Sequence, residues 1–126
     1  MVTDSDLTEA ELAEMAELLR VRRAADLAES ERVAESLGLV LSARSDATAD
    51  DEHDPEGPTL TYEWTRLQSV RSETADDIRA VDAALDRVAN GTYGVCVRCG
   101  RPIGADRLRA RPTAELCIAC ARTVDG

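Results

Sequence analysis

The chain has no phenylalanine and no lysine, and only one tryptophan, two tyrosines and one histidine among its 126 residues. So few bulky rings cannot fill the interior of a large globular core. Abundant alanine instead favours long helices packed closely along a narrow seam, with a second source of stability at one end. No apolar run approaches the roughly 20 residues needed to cross a bilayer, so no membrane association is expected. The opening Met1-Val-Thr-Asp-Ser-Asp6 is acidic and lacks the basic and apolar regions of a secretory signal, so a reducing cytoplasm is the expected compartment. Arginine carries all the permanent positive charge, and the 25 acidic residues outweigh it to leave a formal net charge of −10. Such a field repels phosphates, which argues against a free nucleic-acid-binding protein. Enzyme chemistry is also poorly served, because no nucleophile–base pair stands out.

What the chain does have is a cysteine pattern. Cys96-Val-Arg-Cys99 is followed, after seventeen residues, by Cys117-Ile-Ala-Cys120, and these four are all the cysteines present. Two C-x2-C pairs at this separation suit one tetrahedral Zn2+ with four thiolate ligands. The alternatives are an iron–sulfur cluster, since thiolates also suit iron, and a pair of disulfides, which a reducing compartment disfavours. Four protein ligands leave no position open for water, so one structural and non-catalytic Zn2+ is expected. From Thr92 to Arg122 six arginines (98, 101, 107, 109, 111 and 122) face only Asp106 and Glu115. Four thiolates around Zn2+ would offset half of that excess, so a basic contact surface has little support.

Along the chain, Thr8-Glu-Ala-Glu11 reads as a capping box opening a first helix. Leu12, Met15 and Leu19 follow at helical spacing, with Leu18, Val21, Ala25 and Ala28 on an adjoining stripe, and Val33, Leu37 and Val40 resume the pattern. Gly38 weakens the helix, which is expected to end between Leu37 and Arg44. The stretch from Asp46 to Gly57 holds six acidic residues and no arginine, and it closes in Asp54-Pro-Glu-Gly57-Pro58. On residue type alone it is a solvated turn; a divalent ion held by its carboxylates with His53 is the second reading. Thr59 or Thr61 then caps a second helix reaching Asn90. Its seam, Trp64, Leu67, Arg71, Thr74, Ile78, Val81, Leu85 and Val88, alternates by three and four residues in a heptad pattern.

A short acidic connection between two long helices predicts an antiparallel hairpin. Folding about residue 51 sets Trp64 near Leu37 and Val40, Val81 near Val21, Val88 near Met15, and Arg71 beside Glu31 or Glu35. Asn90-Gly91 supplies a left-handed helix end, and Thr113 is a candidate N-cap for a last helix carrying Cys117 and Cys120. The expected fold class is mainly α: an antiparallel two-helix coiled-coil hairpin over residues 1–90 with an acidic tip at 46–57, then a four-cysteine zinc-finger head and short terminal helix over 91–126.

The run Gly91-Thr-Tyr-Gly-Val-Cys-Val-Arg-Cys-Gly-Arg-Pro-Ile-Gly-Ala-Asp-Arg-Leu-Arg-Ala-Arg-Pro-Thr-Ala-Glu-Leu-Cys-Ile-Ala-Cys120 resembles the C-terminal zinc finger of the DksA/TraR family, from the G-T-Y-G lead to the second cysteine pair. The resemblance implies a cytoplasmic bacterial transcription regulator, not an enzyme, that binds RNA polymerase directly. Its coiled coil would enter the secondary channel and modulate initiation without sequence-specific DNA binding. It also implies that Asp51 and Asp54 are the tip carboxylates; Asp51-Glu-His-Asp54-Pro-Glu56 keeps the family's D-x-x-D spacing, with Glu56 where an alanine is usual. Arg111 matches one position that holds guanosine tetraphosphate in responsive members, and Arg107 and Arg111 are the candidate contacts to effector or polymerase. Ala121 and Ala80 replace two expected lysines, so strong cooperation with that nucleotide is not expected. A monomer is expected. The alternative function is a zinc-stapled coiled-coil adaptor for another protein partner.

Overall fold

The computed structural model describes residues 5–50 and 57–125. Four helices follow in order: α1 (Glu9–Asp50), α2 (Gly57–Asn90), α3 (Ala105–Ala110) and α4 (Ile118–Asp125). The long helices α1 and α2 pair as a hairpin, and one isolated antiparallel bridge, Val95 with Pro102, lies beyond them.

The start of α1 is the capping box expected from its sequence. Glu11 N–H donates to Thr8 Oγ1 and Thr8 N–H donates to Glu11 Oε1, each at 3.0 Å. Two helix-end donors that would otherwise lack partners are thereby satisfied. The far end of α1 differs from expectation. Gly38 sits inside an unbroken helix that continues through Asp46 to Asp50. A glycine in a helix interior costs about 1 kcal/mol relative to alanine, too little to end a helix whose neighbouring turns are packed. Helix α2 likewise begins before either threonine, at Gly57, so Thr59 and Thr61 lie within it. Its other end is a Schellman turn: Thr92 N–H donates to Arg87 O at 2.9 Å, Gly91 N–H donates to Val88 O at 3.4 Å, and Gly91 takes φ of 82°. A side chain at that φ would be strained, which is why Asn90-Gly91 marks the end so clearly.

The chain divides into two compact units. The first comprises Met1–Ala24 and Arg79–Gly126. Its core joins Met15 and Leu19 of α1 with Val81 and Ala84 of α2, and continues through Tyr93, Ile103 and Leu108 to three of the cysteines. Val88 packs against this cluster. Val21 does not: it is 59% exposed, as is the rest of its stripe in part or whole, while Val81 is fully buried. The expected Val21–Val81 proximity is therefore replaced by Val81 packing in the cluster of Met15 and Leu19. Beside them Arg23 Nε donates to Asp82 Oδ1 at 2.6 Å, a half-exposed pair across the two helices.

The second unit, Ala25–Ile78, has its own smaller core of Val33, Leu37, Val40 and Leu67, with Trp64 and Val70 packed against it. Trp64 thus falls beside Leu37 and Val40 as the heptad register predicts. Thr74, a polar member of the α2 seam, is buried. Arg71 is exposed and, among the described residues, forms no ion pair with Glu31 or Glu35; it lines a groove instead. The charge of the chain is concentrated in this unit. Residues 25–78 hold fourteen acidic residues against four arginines, and the remaining residues balance to zero.

Candidate metal centre

The two C-x2-C turns are built by different local means. Gly94 turns the chain with φ of 88° just before the first; a Cβ there would come within 2.9 Å of Leu7 Cδ1 and 3.0 Å of Ser5 Cβ, so glycine is required for the approach. The first turn then closes on itself, with Gly100 N–H donating to Cys96 O and Cys96 N–H donating to Arg101 O, at 2.9 and 2.8 Å. The second turn is the start of a helix. Ala121 N–H donates to Cys117 O at 2.9 Å, which makes Cys117 the residue that opens α4. Thr113, expected to cap this helix, lies instead in the turn before it, because the helix waits for the cysteine. Val97 N–H donates to Glu115 O at 2.9 Å and so draws the two turns together.

The result is a single cluster. The Sγ atoms of Cys96, Cys99, Cys117 and Cys120 all lie within 4.8 Å of one another, and Cys99 Sγ is 3.8 Å from Cys117 Sγ. That separation is far beyond the roughly 2.05 Å of a disulfide. It equals the edge of a tetrahedron whose metal–sulfur bonds are about 2.3 Å, the zinc value. Four sulfur donors, the full tetrahedral complement, fit a thiolate-bound Zn2+.

Electrostatics within the cluster are uneven. Burial opposes ionisation of Cys96, yet backbone hydrogen bonds from Cys117, Cys99 and Arg98 outweigh it and draw the thiol down to about 6. A backbone hydrogen bond from Cys120 also brings Cys117 below the ordinary thiol range, as suits a sulfur at a helix N-terminus. Burial, reinforced by the neighbouring thiols, pushes Cys120 up to about 12. A bound divalent cation would supply the positive charge that lets all four exist as thiolates.

Side chains around the cluster hold it in place. Tyr93, almost fully buried, donates its hydroxyl to Pro112 O at 2.7 Å. Arg107 Nε donates to Leu116 O, the residue before Cys117, at 2.9 Å, so this arginine serves the fold around the second turn. Arg111 is exposed. Sequence reasoning missed α3 and Arg109, whose guanidinium reaches Glu14 at 2.9 Å, Asp106 at 3.2 Å and Glu11 at 3.5 Å. The other residues singled out, Asp51 and Asp54, lie outside the described residues, as does His53. Among the described residues no helix is long and apolar enough to cross a membrane.

Comparison with known proteins gives the cluster a family. Residues 91–125 match the model of the prokaryotic dksA/traR C4-type zinc finger. The chain is similar to a protein of Aquifex aeolicus, 36% identical over 66 residues that make up 52% of this chain and 46% of that one. It is also similar to the RNA polymerase-binding transcription factor DksA of Caulobacter vibrioides, 51% identical over 41 residues (32% and 29% of the two chains). The protein of that name from Escherichia coli is 46% identical over 43 residues (34% and 28%). The matched segments thus span less than half of each relative's own length. Among solved structures, transcription factor DksA2 from Pseudomonas aeruginosa superposes with a TM-score of 0.80 over 99% of this chain and 91% of its own, at 24% identity, which is a likeness of fold. Finger sequence and hairpin fold agree: residues 91–125 match a zinc finger of the dksA/traR C4 type, on a chain that shares the fold of DksA2.

Proposed function

We propose that the chain is a bacterial transcription regulator that binds RNA polymerase directly in the cytoplasm and acts through protein contacts, without catalysis of its own and without reading DNA sequence. The observation that carries this reading is the four-cysteine finger matched over residues 91–125, whose relatives in Caulobacter vibrioides and Escherichia coli are named for polymerase binding. One Zn2+ held by Cys96, Cys99, Cys117 and Cys120 acts as a structural staple, a role supported by the closed sulfur cluster. The domain plan is a hairpin over residues 1–90 and a finger over 91–126. The hairpin enters the polymerase's secondary channel, and Asp51 and Asp54 at its turn approach the catalytic centre to modulate initiation. The concentration of the whole formal charge of −10 within residues 25–78 suits entry into a basic, protein-lined channel and opposes binding to nucleic acid. Arg111 is the candidate finger contact to polymerase. Arg107, whose Nε also donates to Leu116 O, is the second candidate contact, and with alanine at positions 80 and 121 the response to guanosine tetraphosphate is weak or absent. The protein acts as a monomer.

The test is single-round transcription with wild type and an Asp51→Asn, Asp54→Asn double variant, each first assayed for capture of core RNA polymerase. Capture by both proteins, with transcription altered by wild type alone, supports the tip as effector. Full activity of the double variant removes that assignment. Failure of both proteins to capture polymerase favours the zinc-stapled adaptor.

A further inference from the structure

We infer that the arm preceding α1, Ser5-Asp6-Leu7, is a strap that holds the first cysteine turn closed and so sets how slowly the finger gives up its metal; the inference rests on Zn2+ being held by the four cysteines. The two turns are unequally supported. Cys117 opens α4, Cys120 lies within it, and Arg107 Nε fixes the carbonyl of Leu116 just before them. Cys96 and Cys99 stand instead in a hairpin whose only bridge among the described residues is Val95 with Pro102. An isolated two-stranded hairpin is marginally stable in water and needs a surface to pack on. Cys99 is also the exposed one of the four cysteines. The weaker turn therefore carries the sulfur that a competing ligand reaches first.

The arm supplies the missing support. It meets the hairpin at Gly94, two residues before Cys96, whose carbonyl accepts the Ile103 N–H at 2.8 Å. A Cβ at Gly94 would come within 2.9 Å of Leu7 Cδ1 and 3.0 Å of Ser5 Cβ, nearer than the 3.6 Å to Leu108 Cδ1 of α3. Ser5 is buried although polar, and Leu7 packs against the cluster that contains Cys96, Cys117 and Cys120. The space left between Ser5, Leu12, Val88, Gly91 and Tyr93 is about 10 Å3, room for roughly one water. The backbone of the arm is bent to make this fit. Asp6 takes φ of 61°, and Leu7 N–H donates back to Ser5 Oγ at 3.3 Å. A left-handed residue with a Cβ is uncommon, though aspartate tolerates it, and it persists where surrounding contacts fix it. Here the bend turns Ser5 and Leu7 onto Gly94 while Asp6 stays exposed. Leu7 and Ser5 are thus positioning residues, acting on Cys96 and Cys99 through Gly94.

The experiment loads the full chain with Zn2+, counts metal per chain, and follows its transfer to a chromogenic chelator well below Tm. Wild type is compared with Leu7→Ala, Gly94→Ala, the double variant, and Leu85→Ala, which trims an α2 side chain packed against the same cluster. Leu7→Ala is expected to speed zinc release about tenfold by local opening. It should also raise amide exchange at Ile103 and leave Ala121, in the second turn, unchanged. Leu85→Ala is expected to lower Tm while releasing zinc at the wild-type rate. Gly94→Ala already displaces the arm, so adding Leu7→Ala is expected to change release by less than about twofold. If Gly94→Ala fails to fold, Leu7→Ala against Leu85→Ala decides alone. Wild-type release in Leu7→Ala overturns the strap, as does equal acceleration by Leu85→Ala, which makes general stability the cause. Independent, multiplying effects of Leu7→Ala and Gly94→Ala overturn it as well. A wild-type chain that retains no Zn2+ overturns the zinc reading and the inference with it.

Discussion

The Tyr93 hydroxyl donates to the Pro112 carbonyl at 2.7 Å inside the fold, tying the lead into the first cysteine turn to the approach to the second. Tyr93→Phe leaves that carbonyl buried without its donor and is expected to cost about 1 to 2 kcal/mol, read as a shift in the chemical denaturation midpoint at constant m-value. The same residue sets an alkaline limit. Burial pushes Tyr93 up to about 12, against the pull of the Arg87 charge. An unfolded tyrosine ionises near 10, so between about pH 10 and 12 the unfolded chain sheds a proton that the folded chain keeps. Stability therefore falls across that window, and Tyr93→Phe is expected to flatten the fall.

Leu18 and Leu19 are neighbours with opposite fates. Leu19 is fully buried in the cluster with Met15 and Val81, whereas Leu18 is 39% exposed. Leu19→Ala is expected to destabilise the protein by about 2 to 5 kcal/mol and Leu18→Ala by less than about 1 kcal/mol. Thermal denaturation of the two variants side by side distinguishes this register from one turned by a single residue.

Arg109 makes contacts that sequence reading overlooked, and their worth is modest. Its bonds to Glu14, Asp106 and Glu11 are partly exposed, so a double-mutant cycle of Arg109→Met with Glu14→Gln is expected to give a small coupling that shrinks with added salt. Glu11 adds an acid-side signature. Its hydrogen bond from the Thr8 backbone, aided by the Thr8 hydroxyl and Arg109, holds its carboxyl below the usual range. The resulting stabilisation is complete above the unfolded carboxylate pKa and is lost as pH falls through the lower folded value. Thr8→Ala should weaken that acid dependence.

Metal removal is expected to act on one region. A chelator, or Cys117→Ser, should release one Zn2+ per chain and destabilise residues 91–125, with loss of amide-exchange protection around Tyr93 and Leu108, both packed in the cysteine cluster's core. Retention of full protection without metal would show that apolar packing alone holds the finger.

The finger and the two long helices were legible because their signals are short-range and chemical. Cysteine spacing specifies convergence on one metal, Thr8 and Glu11 specify a capping box, and Gly91 specifies a left-handed end. The α2 seam was also readable, since its apolar residues keep one heptad face. The α1 seam was readable too, since Met15, Leu19, Val33, Leu37 and Val40 are all buried. Its adjoining stripe of Leu18, Val21, Ala25 and Ala28 is exposed, because apolar residues surround this helix and periodicity alone does not set the width of the buried face. Its end was placed too early because Gly38 is a local signal that packing overrides. Helix α3, only six residues long, carries too few turns for any period, and with it went Arg109 and the role of Arg107. The acidic turn with Asp51 and Asp54 remains a reading of sequence, outside the described residues.

The most direct measurement is equilibrium binding of the zinc-loaded wild-type chain to purified core RNA polymerase. Saturable one-to-one binding that survives excess nonspecific DNA is the result expected of a polymerase-bound regulator. Absence of binding at micromolar concentration, with the finger folded and its zinc retained, would contradict that account and leave the finger as a staple on an adaptor for some other protein.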